Sequence, residues 1–159
     1  MKKKILWIED AANKGLSIFT SPVHRSIKYD LYSVLSISEA VEKINKIQFD
    51  VVIVDVRMLP GDDQKWINLY NKFSKNKQSA KLGLHFLYSL FKQSISIVQI
   101  DNIPTWIEPN KFAVFTVEPD LEKELNEMGI KVYKEKGVKI KRTILIDIIE
   151  EVLQLSSAS

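Results

Sequence analysis

Two apolar runs that end abruptly in acids constrain this chain more than any other feature. Ile5-Leu6-Trp7-Ile8 stops at Glu9-Asp10, and Phe49-Asp50-Val51-Val52-Ile53-Val54 stops at Asp55. A strand with one face in water alternates apolar and polar residues. A continuous run is how a strand reads when helices cover both of its faces, as in a parallel α/β sheet. Carboxylates at the ends of both runs place a polar site at the C-terminal edge of such a sheet, where doubly wound folds bind their ligands.

The rest of the chain supplies the other elements. Asn13 to Lys28 has helical spacing at Leu16, Ile18, Phe19, Val23 and Ile27, and Pro22 within it predicts a kinked or interrupted helix. Tyr29 to Leu35 reads as a second strand. Ser36-Ile37-Ser38-Glu39 has the spacing of a capping box that opens a helix to about Ile47. Phe112-Ala113-Val114-Phe115 ends in Thr116, Leu121 to Met128 is helical up to a C-capping Gly129, and Ile130 to Tyr133 is a fifth strand. From Arg142 to Leu155, apolar residues recur at helical spacing with Asp147, Glu150 and Glu151 on the other side, so an amphipathic helix closes the domain. Residues 156–159 are expected to be frayed. Between Asp63 and Lys111 the pattern is less regular: a helix around Trp66 to Ser74, a polar break at Lys75 to Ser79, a helix around Leu82 to Lys92, and an apolar segment at Ile95 to Ile100.

Composition narrows the chemistry available to the acids. The 159 residues fit one domain, and 45% apolar with 27% charged residues is ordinary globular composition. The chain has no cysteine and only His24 and His85, which removes thiolate sites and makes multi-histidine zinc improbable. A metal here is expected to be a hard cation held by carboxylates. The lysine-rich start runs into Glu9-Asp10 after a very short apolar stretch, unlike a secretory signal, and no run approaches the ~20 apolar residues of a membrane span. A cytoplasmic location is the expectation. A net charge of +3, spread along the chain, admits nucleic acid without implying it.

Neighbouring strands would bring Glu9, Asp10 and Asp55 together, an unfavourable cluster unless a cation or proton relieves it. Magnesium takes one or two carboxylates plus phosphate oxygens, and suits a shallow acidic triad. A carboxylate beside it can attack an in-line phosphoryl group and become an acyl phosphate, which gives Asp55 a second role. Thr116 and a lysine, Lys134 or Lys136, lie at the next strand ends to hold phosphoryl oxygens.

These motifs, in this order, resemble the receiver domain of two-component response regulators. The resemblance rests on Ile5 to Asp10, on Val51-Val52-Ile53-Val54-Asp55-Val56-Arg57-Met58-Leu59-Pro60-Gly61-Asp62, on Phe115-Thr116, and on Val132-Tyr133-Lys134-Glu135-Lys136. It implies a flavodoxin-like doubly wound five-stranded parallel sheet, order 2-1-3-4-5, with helices on both faces. It implies that Asp55 accepts a phosphoryl group, that Glu9, Asp10, Asp55 and the backbone carbonyl of Arg57 hold magnesium, and that Thr116 and a lysine contact the phosphoryl group. Lys136 follows Tyr133, the residue matching the family's switch aromatic, by three positions and is preferred over Lys134. Tyr133 would repack with Thr116 to alter the face made by the fourth helix, fifth strand and last helix. The implied partners are a histidine kinase or phosphotransfer protein and a downstream protein target, with a homodimer left open, no membrane, and no DNA-binding domain within residues 1–155. Such a domain is a regulatory phosphoacceptor rather than an enzyme with its own substrate.

The chain departs from the family's pattern at several places. Gly137 stands where receivers usually have proline, Leu59 is an extra residue between Met58 and Pro60, and residues 64–110 form an insertion or extended helical region. These departures motivate an alternative, a phosphorylation-independent pseudo-receiver acting as a protein-binding module. A magnesium phosphatase with Asp55 as nucleophile is a third reading. His85 is expected to be a packed helix residue, Trp66, Trp106 and Tyr70 to make a small core for the insertion, and the lysines from Lys131 to Lys141 to be solvated.

Overall fold

The computed structural model describes residues 1–12 and 15–158. Strands β1 (Lys3–Ile8), β2 (Tyr29–Val34), β3 (Val51–Val54), β4 (Phe112–Thr116) and β5 (Val132–Glu135) form one parallel sheet in the order β2-β1-β3-β4-β5. This is the doubly wound flavodoxin-like arrangement expected from the two acid-ended runs. The chain first winds outward from β1 to β2, then returns to the other side of β1, so β1 and β3 are neighbours at the switch point. Their register pairs Ile8 with Val54, which sets the next residues, Glu9 and Asp55, side by side at the sheet edge.

Among the described residues, seven α-helices surround the sheet: α1 (Ser17–Arg25), α2 (Ile37–Lys46), α3 (Gln64–Lys72), α4 (Lys77–Ala80), α5 (Leu82–Phe91), α6 (Glu122–Glu127) and α7 (Ile144–Ala158). Strand alternation divides the core in two. Leu6, Ile8, Val52, Val54, Phe112 and Val114 pack with apolar residues of α2, α3, α5 and α6. Ile5, Trp7, Val51, Ile53, Ala113 and Phe115 pack with α1 and α7. Both sets are fully buried, which is why neither run alternates in sequence.

Several expected elements change at their ends. The first helix contains Pro22 rather than being broken by it, and begins at Ser17; the Asn13 start lies outside the described residues. The fifth strand is displaced toward Glu135, and α7 continues through Ala158 instead of fraying at Ser156, whose hydroxyl donates to the Asn110 carbonyl at 2.9 Å. Ser159 lies outside the described residues. The capping box is present in part: Ser36 Oγ accepts from the Glu39 N–H at 3.3 Å, while Glu39 Oε2 accepts from Leu35 N–H rather than from Ser36.

Residues 64–110 are a layer of the main core and have no small core of their own. Trp66, Leu69, Leu82, Phe86 and Leu87 join the cluster that contains the strand residues, Trp106 packs edge-on against Phe49, and Phe91 against Phe112. The apolar stretch Ile95 to Ile100 starts on the last residue of a 3-10 turn, Gln93–Ile95, and continues as irregular chain, with Val98 buried and Ile95 and Ile97 exposed. One glycine fixes how α5 sits. The Gly83 N–H donates to Val56 O at 2.9 Å, and a Cβ there would collide with the Asp55 carbonyl oxygen. Only glycine lets the start of α5 lie directly on the backbone at the end of β3.

Candidate functional site

Each strand end contributes a functional group because the parallel register aligns them. Glu9 and Asp10 leave β1, Asp55 leaves β3, Thr116 closes β4, and Lys136 follows β5, its N–H donating to Thr116 O at 2.8 Å. The structure brings the three acids together: one carboxylate oxygen from each of Glu9, Asp10 and Asp55 lies within 4.8 Å of the others. Glu9 and Asp55 are buried and Asp10 is nearly so.

Two ammonium groups offset this charge. Lys136 Nζ is ion-paired with Glu9 Oε1 and lies 3.2 Å from Asp55 Oδ2, which holds it between the two acids. Its Nζ also lies 5.2 Å from the centre of the Phe115 ring. Lys134, the other sequence candidate, instead pairs with Glu151 of α7 at 3.2 Å: it lies within β5, short of the strand end beyond which Lys136 reaches the acids. The second ammonium comes from α4: Lys77 Nζ lies 2.9 Å from Asp10 Oδ2. Burial, and after it the Asp55 charge, raise the Glu9 carboxyl to about 7 against the opposing pull of Lys136, as follows from placing a carboxylate out of water beside another.

Donor chemistry decides whether a metal fits. Clustered carboxylate oxygens with no sulfur and no imidazole make a hard-cation set, and the cluster retains excess negative charge that a divalent ion would relieve. Glu9, Asp10 and Asp55 could therefore hold magnesium. The Arg57 N–H donates to Asp55 Oδ1 at 3.3 Å, which seats the Arg57 backbone beside the same carboxylate.

Thr116 is fully buried, and its Oγ1 accepts from the Glu118 N–H at 3.3 Å. The Tyr133 hydroxyl donates to the Glu118 carbonyl at 2.5 Å, so Thr116 and Tyr133 meet through one residue. Burial and Glu135 push the Tyr133 phenol up to about 12, which keeps it a donor. Glu118 did not stand out in the sequence, yet its carboxylate takes Arg57 at 2.9 Å and Lys81 at 3.1 Å. Burial acts to raise Glu118, but these two cations outweigh it and hold the carboxyl below its ordinary value. Lys77 and Lys81 were also missed, and no motif marks them: they lie on a segment that only tertiary packing brings to the pocket. His85 is where the sequence put it, on α5 between Phe73 and Tyr88 and away from the acids.

Comparison with known proteins adds the fold's relatives. No protein-family model and no curated protein sequence matches the chain. Solved structures do. The receiver domain of the Francisella response regulator 1452 aligns over 98% of this chain and 99% of its own at 20% identity and a TM-score of 0.59. The chemotaxis response regulator CheY4 of Vibrio cholerae aligns over 96% of this chain and 100% of its own, at 20% identity and a TM-score of 0.55. The BeF3-activated N-terminal receiver domain of Klebsiella pneumoniae RstA covers 95% of this chain and 98% of its own, at 18% identity and a TM-score of 0.59. The chain has the fold of response-regulator receiver domains, and its acidic cluster lies at the sheet edge where that fold binds ligands.

Proposed function

We propose that the chain is a magnesium-dependent phosphoacceptor switch in which Asp55 takes a phosphoryl group from the phosphohistidine of a histidine kinase or phosphotransfer protein. The observation that carries this reading is Lys136 Nζ held between Glu9 and Asp55, inside a three-carboxylate cluster at the switch point of a receiver fold. In the transfer, a carboxylate oxygen of Asp55 forms the O–P bond as the N–P bond to the donor imidazole breaks, and that imidazole leaves with its proton. Lys136 is placed to move with the phosphoryl oxygens, and Thr116 Oγ1 can exchange its contact with Glu118 for one of them. Glu9, Asp10, Asp55 and the Arg57 carbonyl would hold the magnesium, which supplies charge neutralisation at the transferring group. Because Tyr133 is tied to Glu118, a move of Thr116 toward the phosphoryl group is transmitted to Tyr133 and to the face made by α6, β5 and α7, the surface a downstream protein would read.

Incubation with acetyl phosphate and magnesium, read by intact mass, tests this. One phosphoryl adduct is expected on the parent chain and none on Asp55→Asn. An adduct that survives this substitution, or none on the parent, overturns it. In the latter case beryllofluoride titration followed by amide NMR discriminates the second reading, a pseudo-receiver that signals by protein contact alone. The Lys77–Asp10 pair favours that reading, because it already occupies the acid that a metal would need.

A further inference from the structure

We propose that Lys77 is a built-in counter-ion of the acidic pocket, which a divalent cation must displace from Asp10 in order to bind; this rests on the reading of Glu9, Asp10 and Asp55 as metal-holding residues. Lys77 reaches Asp10 from the far side of the pocket, 67 residues away in sequence, on a helix that belongs to the insertion and not to the strand ends. Its ammonium is held above its ordinary value by the hydrogen bond to Asp10 and by the charges of Asp10, Asp55 and Glu9, so it senses the whole cluster.

The two partners differ in freedom. The Asp10 side chain is only 10% exposed, whereas that of Lys77 is 45% exposed. The acid is fixed by the fold, and the lysine can leave into water at little desolvation cost. The helix that carries it is short and flanked by non-glycine residues in the left-handed region, Ser74 at φ 57°, Lys75 at φ 59° and Lys81 at φ 49°. Among the ion pairs of this segment are Lys77–Asp10 and Lys81–Glu118, both to the pocket. Charge balance gives the direction of exchange. With Lys136 and Lys77 both present, a divalent cation overcompensates the three carboxylates; once Lys77 has left, the cation and Lys136 match them. Occupancy of the metal position and the Lys77–Asp10 ion pair are thus mutually exclusive, and Lys77 becomes a cation-responsive counter-ion on a helix that Ala80 anchors in the core.

Isothermal titration of the full chain with magnesium chloride at fixed ionic strength tests this, comparing the parent with Lys77→Gln and with Lys75→Gln. The second variant removes the same charge from a neighbouring exposed lysine. Lys77→Gln is expected to bind magnesium on the order of tenfold more tightly than the parent. Lys75→Gln should stay within about twofold of the parent, because solvent and salt screen an exposed charge. Equal or weaker affinity in Lys77→Gln, or an equal gain in both variants, overturns the inference alone. Absence of magnesium binding in all three chains overturns the metal reading and this inference with it.

Discussion

The acidic pocket has two walls of different origin. One is made of strand ends, with Glu9, Asp55, Thr116 and Lys136 aligned by the parallel register. The other is made by the helical segment after β3, with Lys77 on α4, Lys81 at the turn into α5, and Gly83 pressed on the Asp55 backbone. The first wall follows from sheet geometry, and any chain with this strand order would present its strand-end residues there. The second depends on how a particular helical segment packs. The proposed phosphoacceptor chemistry falls on the wall the fold dictates, whereas the counter-charges of Lys77 and Lys81 come from the wall it does not dictate.

If the second wall is part of the core and not an appendage, breaking it should cost as much as breaking a central element. Trp66 of α3 is almost wholly buried in the cluster that includes the strands. Trp66→Ala is expected to destabilise the chain by about 3–5 kcal/mol in urea unfolding. A loss below about 1 kcal/mol would mean that α3 is peripheral. The next test compares one glycine from each wall. Gly83→Ala forces a Cβ into the Asp55 carbonyl, with Asp55 C and Val56 Cα both 2.8 Å away, whereas a Cβ at Gly137, after β5, meets nothing within 4 Å. Gly83→Ala should lose about 1–3 kcal/mol and also lower the yield of acetyl phosphate labelling, since the strain falls on Asp55 itself. Gly137→Ala should stay within about 0.5 kcal/mol of the parent. Comparable losses in the two variants would erase the distinction between the walls.

Glu118 joins the walls, taking Arg57 from the strand-end side and Lys81 from the helical segment. Glu118→Gln keeps the shape and removes the charge. A loss of about 1 kcal/mol is expected, because Lys81 is well exposed and only Arg57 is substantially covered. The loss should shrink in high salt; a salt-independent loss would mean that packing, not charge, holds the joint.

The contrast also explains what could be read in advance. Burial on both faces leaves an unmistakable mark, so Ile5 to Ile8 and Val51 to Val54 announced their strands, and the acids after them announced the pocket. Gly129 marked the end of α6 because a chain leaving a helix at φ 87° favours glycine. Lys136 could be preferred over Lys134 by its spacing from Tyr133, and the physical reason is position: Lys136 lies past the end of β5 and reaches the acids, whereas Lys134 lies within the strand and pairs with Glu151. The boundary errors arose where a neighbour outweighs local pattern: the last helix runs past Leu155, and Ser156 finds a backbone acceptor at Asn110. Lys77, Lys81 and Glu118 were illegible for a different reason. Each is an ordinary surface residue type whose partner lies far away in sequence, and neither hydrophobic period nor turn chemistry records a long-range ion pair. The sequence predicts that Trp66 and Trp106 make a small core of their own, but they join the main core, because that depends on how residues 64–110 lie against the sheet.

The smallest effect separates the walls by the sign of their response to pH. His85 lies on α5 beside Tyr88 and Phe73, and its buried Nδ1 has no hydrogen-bond partner among the described residues. Burial lowers its pKa below 6.5, so the folded chain resists a proton that the unfolded chain accepts. The stability this group contributes is present above 6.5 and is lost as pH falls below it. Glu9, in the strand-end wall, has the opposite sign: its folded value of about 7 lies above the ordinary 4.5, so protonation on acidification relieves the crowded carboxylates and adds stability. The two contributions partly cancel in the parent. His85→Leu removes one of them without touching the pocket. In buffer with a metal chelator, the urea midpoint of His85→Leu should therefore rise relative to that of the parent as pH is lowered from about 7 to about 5.5. A constant difference between the two chains across that range would show that His85 carries its proton equally well folded and unfolded, and that the helical wall is wetter at α5 than its packing implies.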